Sequence, residues 1–373
     1  MPSRHLQVQV YRSESALPAA FDRVFSDPRE MLFRSREWLR NLELNGIPPG
    51  DRLRLYAVTT LGEGATCALL PAVYSRLYSA HPRARVLHFA GVEGLPYAPL
   101  GAPDGVGEAA AESVIRFLCQ NRTSFDVLRL GPLVPAAPLL ERVKATLRSA
   151  RVPMHVYRAP SDYFEPTSGR SFADYRDTLP VALRETLDRV WHALVDRDRV
   201  SFRLVSREED LDAAMRDYAI IQHAQIDDPA VERPGYLPGV LRTAARADAL
   251  RLGILSIDSA PAAAQLWIRS GGIGCCMRMM SVPGRAGLPL DEMVADRVVE
   301  HLLDVDGVDE LDFGATTDEM ARDRGLQTRE RVGVIAFNPR TWRGIKGAAR
   351  HIVAPKLAAL PRQVWRRLAG RRP

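Results

Sequence analysis

The chain has 373 residues, of which 46% are hydrophobic and 26% are charged. These values are those of a globular protein and exclude a disordered or fibrous one, and at roughly 100–200 residues per domain they predict two domains or three. The formal net charge of +6 arises in the last 34 residues, which hold ten Lys or Arg and no acidic residue, whereas the first 339 hold 41 basic and 45 acidic residues. This mildly acidic body argues against a nucleic-acid-binding protein.

The sequence also lacks the signals of a membrane-spanning or secreted protein. No apolar run approaches the ~18 residues that a transmembrane helix needs. Residues 1–21 contain no apolar stretch of the secretory type. The cysteines form neither a C-x-x-C pair nor a Cys/His cluster with zinc spacing; they are Cys67, Cys119, Cys275 and Cys276. We therefore predict a cytoplasmic protein without a metal site.

Hydrophobic periodicity and Gly/Pro turns predict ten elements in the N-terminal half, in the order βααβββαβαβ. The predicted segments are 6–11, 13–25, 35–44, 54–60, 65–73, 86–91, 107–120, 127–130, 139–150 and 154–157. Residues 171–198 follow as a helical connector, in which Pro180 suits the first turn of the second helix because proline lacks the N–H that is unpaired there.

The same patterns in the C-terminal half predict ten elements in the same order. The segments are 202–205, 207–225, 234–249, 252–257, 262–268, 273–281, 290–303, 310–313, 318–324 and 332–337. Ser206 and Glu209 have the spacing of a capping box that opens the first helix. In addition, residues 125–131 align with residues 308–314, and both segments end in glycine. We interpret the two halves as an internal duplication. The alternative is two unrelated α/β domains whose strands and helices follow the same order by coincidence.

This element order resembles that of the GNAT acyltransferases. A tandem pair joined by an arginine-bearing helix resembles the FemAB-like and cellulose-biosynthesis (CelD/BcsL-type) GNAT acetyltransferases. The stretches that carry the resemblance are Phe33–Leu39, Phe172–Arg189, Leu252–Ile268 and Leu311–Gly314. The resemblance implies an α/β (α+β) chain with tandem GNAT-like domains. These are an N-terminal domain at 1–160, a helical linker at 161–200, an acetyltransferase domain at 201–339 and a basic tail at 340–373.

In such a fold two neighbouring strands diverge, and the pantetheine arm of acyl-CoA lies against one of them as a surrogate strand. The diphosphate rests on free N–H groups at the start of the following helix. The resemblance therefore implies acetyl-CoA, or another acyl-CoA, as co-substrate of the C-terminal half. The implied contacts are Arg278, Met280, Arg285, Gly287 and Leu290. An ordinary Gly/Pro loop with a solvated Arg285 is the alternative.

Acyl transfer from a thioester needs a base for the proton of the nucleophile and donors for the oxyanion. Asp312, at a predicted strand end, is the first candidate for the base or for a substrate anchor, and capping of the next helix is its alternative role. His223 is the second candidate base, unless it is merely packed or solvated. Tyr97 and Arg184 are the expected substrate contacts, although a loop tyrosine also packs on its own hairpin.

Two positions depart from the pattern of the resembled family. Leu290 follows Pro289 where relatives carry glycine, and Met320 and Ala321 stand where relatives carry a Tyr-Lys pair. Our leading interpretation is an acyl-CoA-dependent N- or O-acyltransferase that acts on a saccharide or a cell-envelope (exopolysaccharide) precursor, with the acceptor in the cleft between the halves. Because both departures remove polar groups, the alternative is a catalytically weakened GNAT-like scaffold that recruits a polysaccharide-synthesis partner.

The basic tail has apolar residues at three- and four-residue spacing from Val353 to Leu368, with Trp365 among them and arginines around them. A basic amphipathic segment with tryptophan favours an anionic membrane surface, with about 1 kcal/mol per Lys or Arg. We expect peripheral contact with the inner membrane and no specific nucleic acid. The alternatives are that Val353 and Leu357 pack on the body, or that the tail binds RNA nonspecifically.

Overall fold

The computed structural model describes residues 6–60, 66–76, 83–89, 97–101, 106–121, 124–225, 235–284, 287–314 and 318–354. The strands are β1 (Leu6–Tyr11), β2 (Arg52–Thr60), β3 (Thr66–Ser75), β4 (Val86–Phe89), β5 (Val127–Leu133), β6 (Met154–Pro166), β7 (Val200–Val205), β8 (Leu250–Ile257), β9 (Ala260–Ser270), β10 (Ile273–Ser281), β11 (Glu310–Gly314) and β12 (Gln327–Phe337). The α-helices are α1 (Pro28–Met31), α2 (Arg36–Asn41), α3 (Val106–Gln120), α4 (Pro138–Ser149), α5 (Phe172–Thr178), α6 (Val181–Val195), α7 (Leu211–Gln225), α8 (Tyr236–Arg246), α9 (Leu290–Asp304), α10 (Asp318–Arg324) and α11 (Trp342–Ala348).

All twelve strands belong to one sheet, in the order β1-β2-β3-β4-β5-β12-β6-β11-β10-β9-β8-β7. The pairs β4–β5 and β10–β11 are parallel. The other pairs of described strands are antiparallel. Each half therefore supplies six strands with the same pattern of pairing, which confirms the predicted tandem arrangement.

The two halves exchange their last strands. β12 lies between β5 and β6, and β6 in turn lies between β12 and β11. β6 and β12 pair along their length, from Met154 opposite Ala336 to Phe164 opposite Gln327. Each half thus completes its sheet with a strand of the other half, and the domain boundary predicted between residues 160 and 161 falls inside β6.

Helices cover both faces of this sheet. The front face, as we name it, carries α2, α7 and α8, and one hydrophobic core beneath them combines Leu55 and Leu69 of β2 and β3 with Ile254 and Leu266 of β8 and β9. Since β3 and β9 are seven positions apart in the sheet, it must curve around these helices. The back face carries α3 and α4 in the N-terminal half and α5, α6 and α9 in the C-terminal half.

Local caps explain which predicted helix starts are right. Ser35 accepts a hydrogen bond from the N–H of Trp38 at 3.1 Å and starts α2, as predicted. The capping box predicted at Ser206 and Glu209 is wrong, because no side chain caps the 3₁₀ turn at 208–210 and α7 begins only at Leu211. The single helix predicted over 13–25 is also wrong: two 3₁₀ turns replace it, and Pro18 lies between them.

The start of the basic tail packs on the front side of the central strands. Thr341 caps α11 by accepting from the N–H of Gly344 at 3.1 Å. Ile352 and Ala348 pack beside Phe337. The tail residues from 355 onward, including Leu357 and Trp365, lie outside the described residues. Within the part of the chain that the structure describes, no helix is long and apolar enough to cross a bilayer.

Candidate active site

The sheet opens between the parallel strands β10 and β11. They pair through only three residues, from Ile273 opposite Glu310 to Cys275 opposite Asp312. Beyond Cys275, β10 continues to Ser281 along β9 alone, after a register shift between Cys276 and Arg278. The described strands therefore leave the β11-facing edge of residues 276–281 uncovered, which confirms the predicted divergence. An uncovered strand edge can bind an extended ligand through main-chain hydrogen bonds.

Asp312 lies where the two strands separate. Its neighbours in sequence, Leu311 and Phe313, pack in the back-face core, so the alternation of a strand turns Asp312 toward the front face. Its side chain is 3% exposed; Oδ1 accepts a hydrogen bond from the N–H of Gly314 at 2.7 Å, and Oδ2 has no partner among the described residues. Burial raises the pKa of Asp312 to about 6, and the charge of Asp162 adds to the effect. A carboxylate with this pKa is ionised at neutral pH and can still accept a proton.

The alternative role predicted for Asp312, capping of the next helix, depends on residues 315–317, which lie outside the described residues. The hydrogen bond that the structure does show goes to Gly314, whose φ of +62° belongs to the left-handed region that glycine tolerates best. The turn at Gly314 thus brings a main-chain N–H back onto the carboxylate and fixes its orientation.

A buried ion pair stands beside Asp312, and the exchanged strands provide both of its members. Nε of Arg331 on β12 donates to Oδ2 of Asp162 on β6 at 2.5 Å, and both residues are almost completely buried. Burial raises the pKa of Asp162, although Arg331 opposes this shift. Phe164 of β6 pairs with Asp312, so Asp162, two residues earlier on β6, is the diagonal neighbour of Asp312. Sequence reasoning missed this pair, since residues 158–166 and 327–331 were not predicted to be strands.

The thiol of Cys275 and the guanidinium of Arg329 also lie near Asp312, and their surroundings restrict the chemistry that each can perform. Burial, followed by the charge of Asp312, raises the pKa of Cys275 well above its usual value, so this thiol stays protonated and is not a nucleophile. The guanidinium of Arg329 lies over the ring of Phe164 at 3.8 Å and pairs with Glu310 at 2.7 Å. The site can therefore offer a general base and a buried cation rather than a covalent nucleophile.

The start of α9 is less open to an anion than predicted. Pro289 provides no side-chain cap for this helix, but two carboxylates stand in its first turn. Asp291 accepts a hydrogen bond from the hydroxyl of Ser281 at 3.1 Å, and Glu292 pairs with Nε of Arg324 at 2.6 Å. Burial raises the pKa values of both acids. In their ionised forms they occupy the positive end of the helix dipole, which a diphosphate would otherwise use.

The predicted acyl-CoA contacts that the structure describes differ in their exposure. Arg278 is half-buried on β10, and its Nη1 donates to the carbonyl of Met277 at 2.9 Å. Met280 and Leu290 are buried, in the front-face core and in the back-face core respectively. Gly287 has a φ of +87° with open space around it, so the loop before α9 needs glycine there. Arg285 lies outside the described residues. These contacts stay predictions.

The structure does not bring the other candidate residues to Asp312. Tyr97 is buried, with its ring edge-to-face against Phe89 at a centroid distance of 5.5 Å, which is the packing that its alternative role predicted. Arg184 pairs with Asp177 at 3.0 Å and lines a groove of about 470 Å³ between α5 and α6, over the back face. His223 is exposed near the end of α7, and its Nδ1 lies 2.6 Å from the carbonyl oxygen of Ala219.

Comparison with known proteins finds a similarity in the C-terminal half. Residues 182–322 match the family model described as "Acetyltransferase (GNAT) domain". The comparison with curated sequences found no match. The match contains β10, β11, Asp312 and α9, so the part of the chain around the opening of the sheet is similar to an acetyltransferase (GNAT) domain.

Three solved structures share the fold over nearly the whole chain. FemX is 8% identical, with a TM-score of 0.58 over 93% of this chain and 99% of its own. The C-terminal domain of a protein described as a lysylphosphatidylglycerol synthetase, from Agrobacterium fabrum, is 10% identical, with a TM-score of 0.53 over 91% and 97%. A tandem GNAT protein from the clavulanic acid biosynthesis pathway, solved without AcCoA, is 11% identical, with a TM-score of 0.52 over 90% and 99%. At these identities the likeness establishes the tandem fold alone.

Proposed function

We propose that this protein is a FemAB-like acyltransferase, which moves an acyl group from acyl-CoA to an amine or hydroxyl of a saccharide or cell-envelope precursor. The observation that carries the proposal is the three-residue pairing of β10 with β11, with the buried carboxylate of Asp312 where they separate. The pantetheine arm would lie along residues 276–281, as an added strand does in other proteins. The thioester would then reach Asp312, and the acceptor would approach from the front face.

The reaction needs no covalent intermediate on the protein. Asp312 Oδ2 takes the proton of the attacking amine or hydroxyl, whose nitrogen or oxygen forms the new bond to the thioester carbonyl carbon. Free main-chain N–H groups on the edge of β10 stabilise the oxyanion. The C–S bond then breaks and the coenzyme A thiolate takes up a proton. The products are the acylated acceptor and free coenzyme A.

The diphosphate of the donor is expected to lie on the loop before α9 and near Arg278, rather than on the first turn of α9. The two half-buried carboxylates in that turn, Asp291 and Glu292, support this placement. Arg285 belongs to the same loop and is a second cation for the diphosphate.

Calorimetric titration with acetyl-CoA tests the proposal. We expect binding to the wild-type protein, equal binding to Asp312→Asn, and coenzyme A release in acceptor mixtures by the wild type alone. Absence of binding at millimolar acetyl-CoA would refute acyl-CoA use. Binding without release by either protein, across amino sugars, sugar phosphates and lipid precursors, would favour the second candidate function, a GNAT-like scaffold without catalysis. Met320 and Ala321 favour that candidate, since both are buried apolar side chains where polar ones are expected.

An envelope acceptor has support from two sides. One structural neighbour is named as a synthetase of lysylphosphatidylglycerol, which is a lipid. In this chain, Trp342 on α11 is 76% exposed, and Ile345 and Val353 are exposed along the same side. Arg343, Lys346 and Arg350 flank them and are exposed too. An exposed tryptophan among cations suits the surface of an anionic bilayer.

We expect the intact chain to bind vesicles that contain phosphatidylglycerol and to stay free of neutral phosphatidylcholine vesicles. Trp342→Ser should weaken flotation with the anionic vesicles, whereas Leu44→Ser, at an exposed apolar residue outside the tail, is the matched control. Equal flotation of all three proteins would exclude this surface as the membrane contact.

A further inference from the structure

Three arginines are buried in the described chain, and their hydrogen bonding differs. In Arg251, Nε and Nη2 donate to Asp306, and Nη1 donates to the carbonyl of Leu250. In Arg324, Nε and Nη2 donate to Glu292 and Nη1 donates to the hydroxyl of Tyr175. In Arg331, Nε alone is bonded, and neither Nη1 nor Nη2 has a partner among the described residues.

This difference matters because a buried donor without a partner costs about 1–3 kcal/mol, and more when the group is charged. Arg331 holds two such donors in a side chain that is 1% exposed. Asp162 fixes the plane of the guanidinium through Nε, so the two free nitrogens form a fork of constant direction. Such a fork matches the two oxygens of a carboxylate or a phosphate.

The position of Arg331 relates this fork to Asp312. Asp162, which orients Arg331, is the diagonal neighbour of Asp312 across β6 and β11. The free Oδ2 of Asp312 is the counterpart of the free nitrogens of Arg331, yet the two side chains do not bond to each other. One oxygen of Asp312 and two nitrogens of Arg331 thus lack hydrogen-bond partners among the described residues, in the buried region around Asp162, with which Arg331 is already ion-paired.

We propose that the acceptor carries both an amine and an oxyanion, and that Arg331 binds the oxyanion while the amine meets Asp312. This inference rests on the proposed function and narrows it to N-acylation. A zwitterion suits these residues, because its ammonium group offsets the charge of Asp312 and its oxyanion accepts the two hydrogen bonds that Arg331, already paired with Asp162, leaves unmade within the described chain. Asp312 takes one proton from the ammonium group to free the nucleophile, and the second nitrogen proton leaves as the amide forms and the thiolate is protonated.

A thermal-shift titration tests the site without requiring turnover. The probes are glucosamine, glucosamine 6-phosphate and muramic acid at equal ionic strength, so the second and third separate a phosphate from a carboxylate. We expect a saturable rise in Tm with one anionic probe and a much smaller rise with glucosamine. Arg331→Met should lose the difference, and Arg331→Lys, which keeps the charge without the fork, should bind at least tenfold more weakly. Arg251→Met is the matched control, since it removes a buried arginine away from Asp312 and should keep the response.

The outcomes separate this inference from the proposed function, since acetyl-CoA binding is measured on the same samples. If acetyl-CoA binds but neither anionic probe exceeds glucosamine, or Arg331→Met and Arg331→Lys respond like the wild type, the inference is wrong and the proposed function stands. If the anionic probe binds through Arg331 but acetyl-CoA does not bind, the proposed function is wrong, and with it the acceptor role of the site.

Discussion

Asp312→Asn removes a buried carboxylate whose ionised form lowers the free energy of unfolding. The pKa of Asp312 is about 6 in the folded protein, against ~3.9 for an unperturbed aspartate, and each pKa unit corresponds to about 1.4 kcal/mol. Because the folded state binds this proton more tightly than the unfolded state, the stability of the wild type is complete below pH ~4 and falls as the pH rises through 6. The full loss, roughly 3 kcal/mol, is present above pH ~7.

Asparagine keeps an oxygen for the N–H of Gly314 and cannot ionise. In urea unfolding, the stability of Asp312→Asn relative to the wild type should therefore rise by roughly 3 kcal/mol from pH 4 to pH 7.5. Asp309→Asn, which removes an exposed carboxylate just before the same strand, is the matched control and should show no such rise. A stability difference between Asp312→Asn and the wild type that does not change with pH would refute the assigned burial of charge.

Three further predictions concern other parts of the fold. Trp267→Ala should lower the free energy of unfolding by about 3–5 kcal/mol, because Trp267 is fully buried edge-to-face on Phe313, whereas the exposed Trp342→Ala should change it by less than about 0.5 kcal/mol; equal losses in urea unfolding would contradict the packing. Although burial of this carboxylate opposes the shift, the hydrogen bonds from Arg85 lower the pKa of Asp126. Asp126→Asn should therefore lower the free energy of unfolding by about 3–5 kcal/mol at pH 7, and by less as the pH falls below ~4. Urea unfolding at pH 7 and pH 3.5 would check both values. Gly344→Ala would place Cβ 2.1 Å from the carbonyl oxygen of Asn338, so α11 should detach and trypsin should cut after Arg343 faster than in the wild type; an unchanged cleavage rate would refute the contact.

The sequence predicts most of the secondary structure because the buried segments are strongly periodic. The nearly continuous apolar runs of β8 and β9 and the apolar stripe of α9 place these elements within a few residues of their observed bounds. The predicted repeat also places Asp312 on the strand beside the opening. Hydrophobic periodicity does not encode which strands become neighbours in a sheet. It therefore could not predict the exchange of β6 and β12.

The same limit explains why the Asp162–Arg331 pair was missed. Residues 158–166 and 327–331 are rich in charged and polar side chains and resemble loops, although they lie in the centre of the sheet. Their burial depends on a pairing between residues 169 positions apart, which no local pattern encodes. Tyr97 shows the opposite case, in which a residue expected at the site packs in the core.

The position of β12 constrains the order in which this protein reaches its native state. While the ribosome is still adding the C-terminal half, β12 is absent from its place between β5 and β6. The main-chain edges of β5 and β6 that face β12 therefore stay unpaired until a segment some 200 residues downstream is synthesised. Contacts so distant along the chain form slowly, since the entropy of closing the loop is lost before they can contribute. We therefore expect the nascent N-terminal half to be prone to aggregation and to chaperone binding until Phe337 has left the exit tunnel, after which the sheet closes in a single late step.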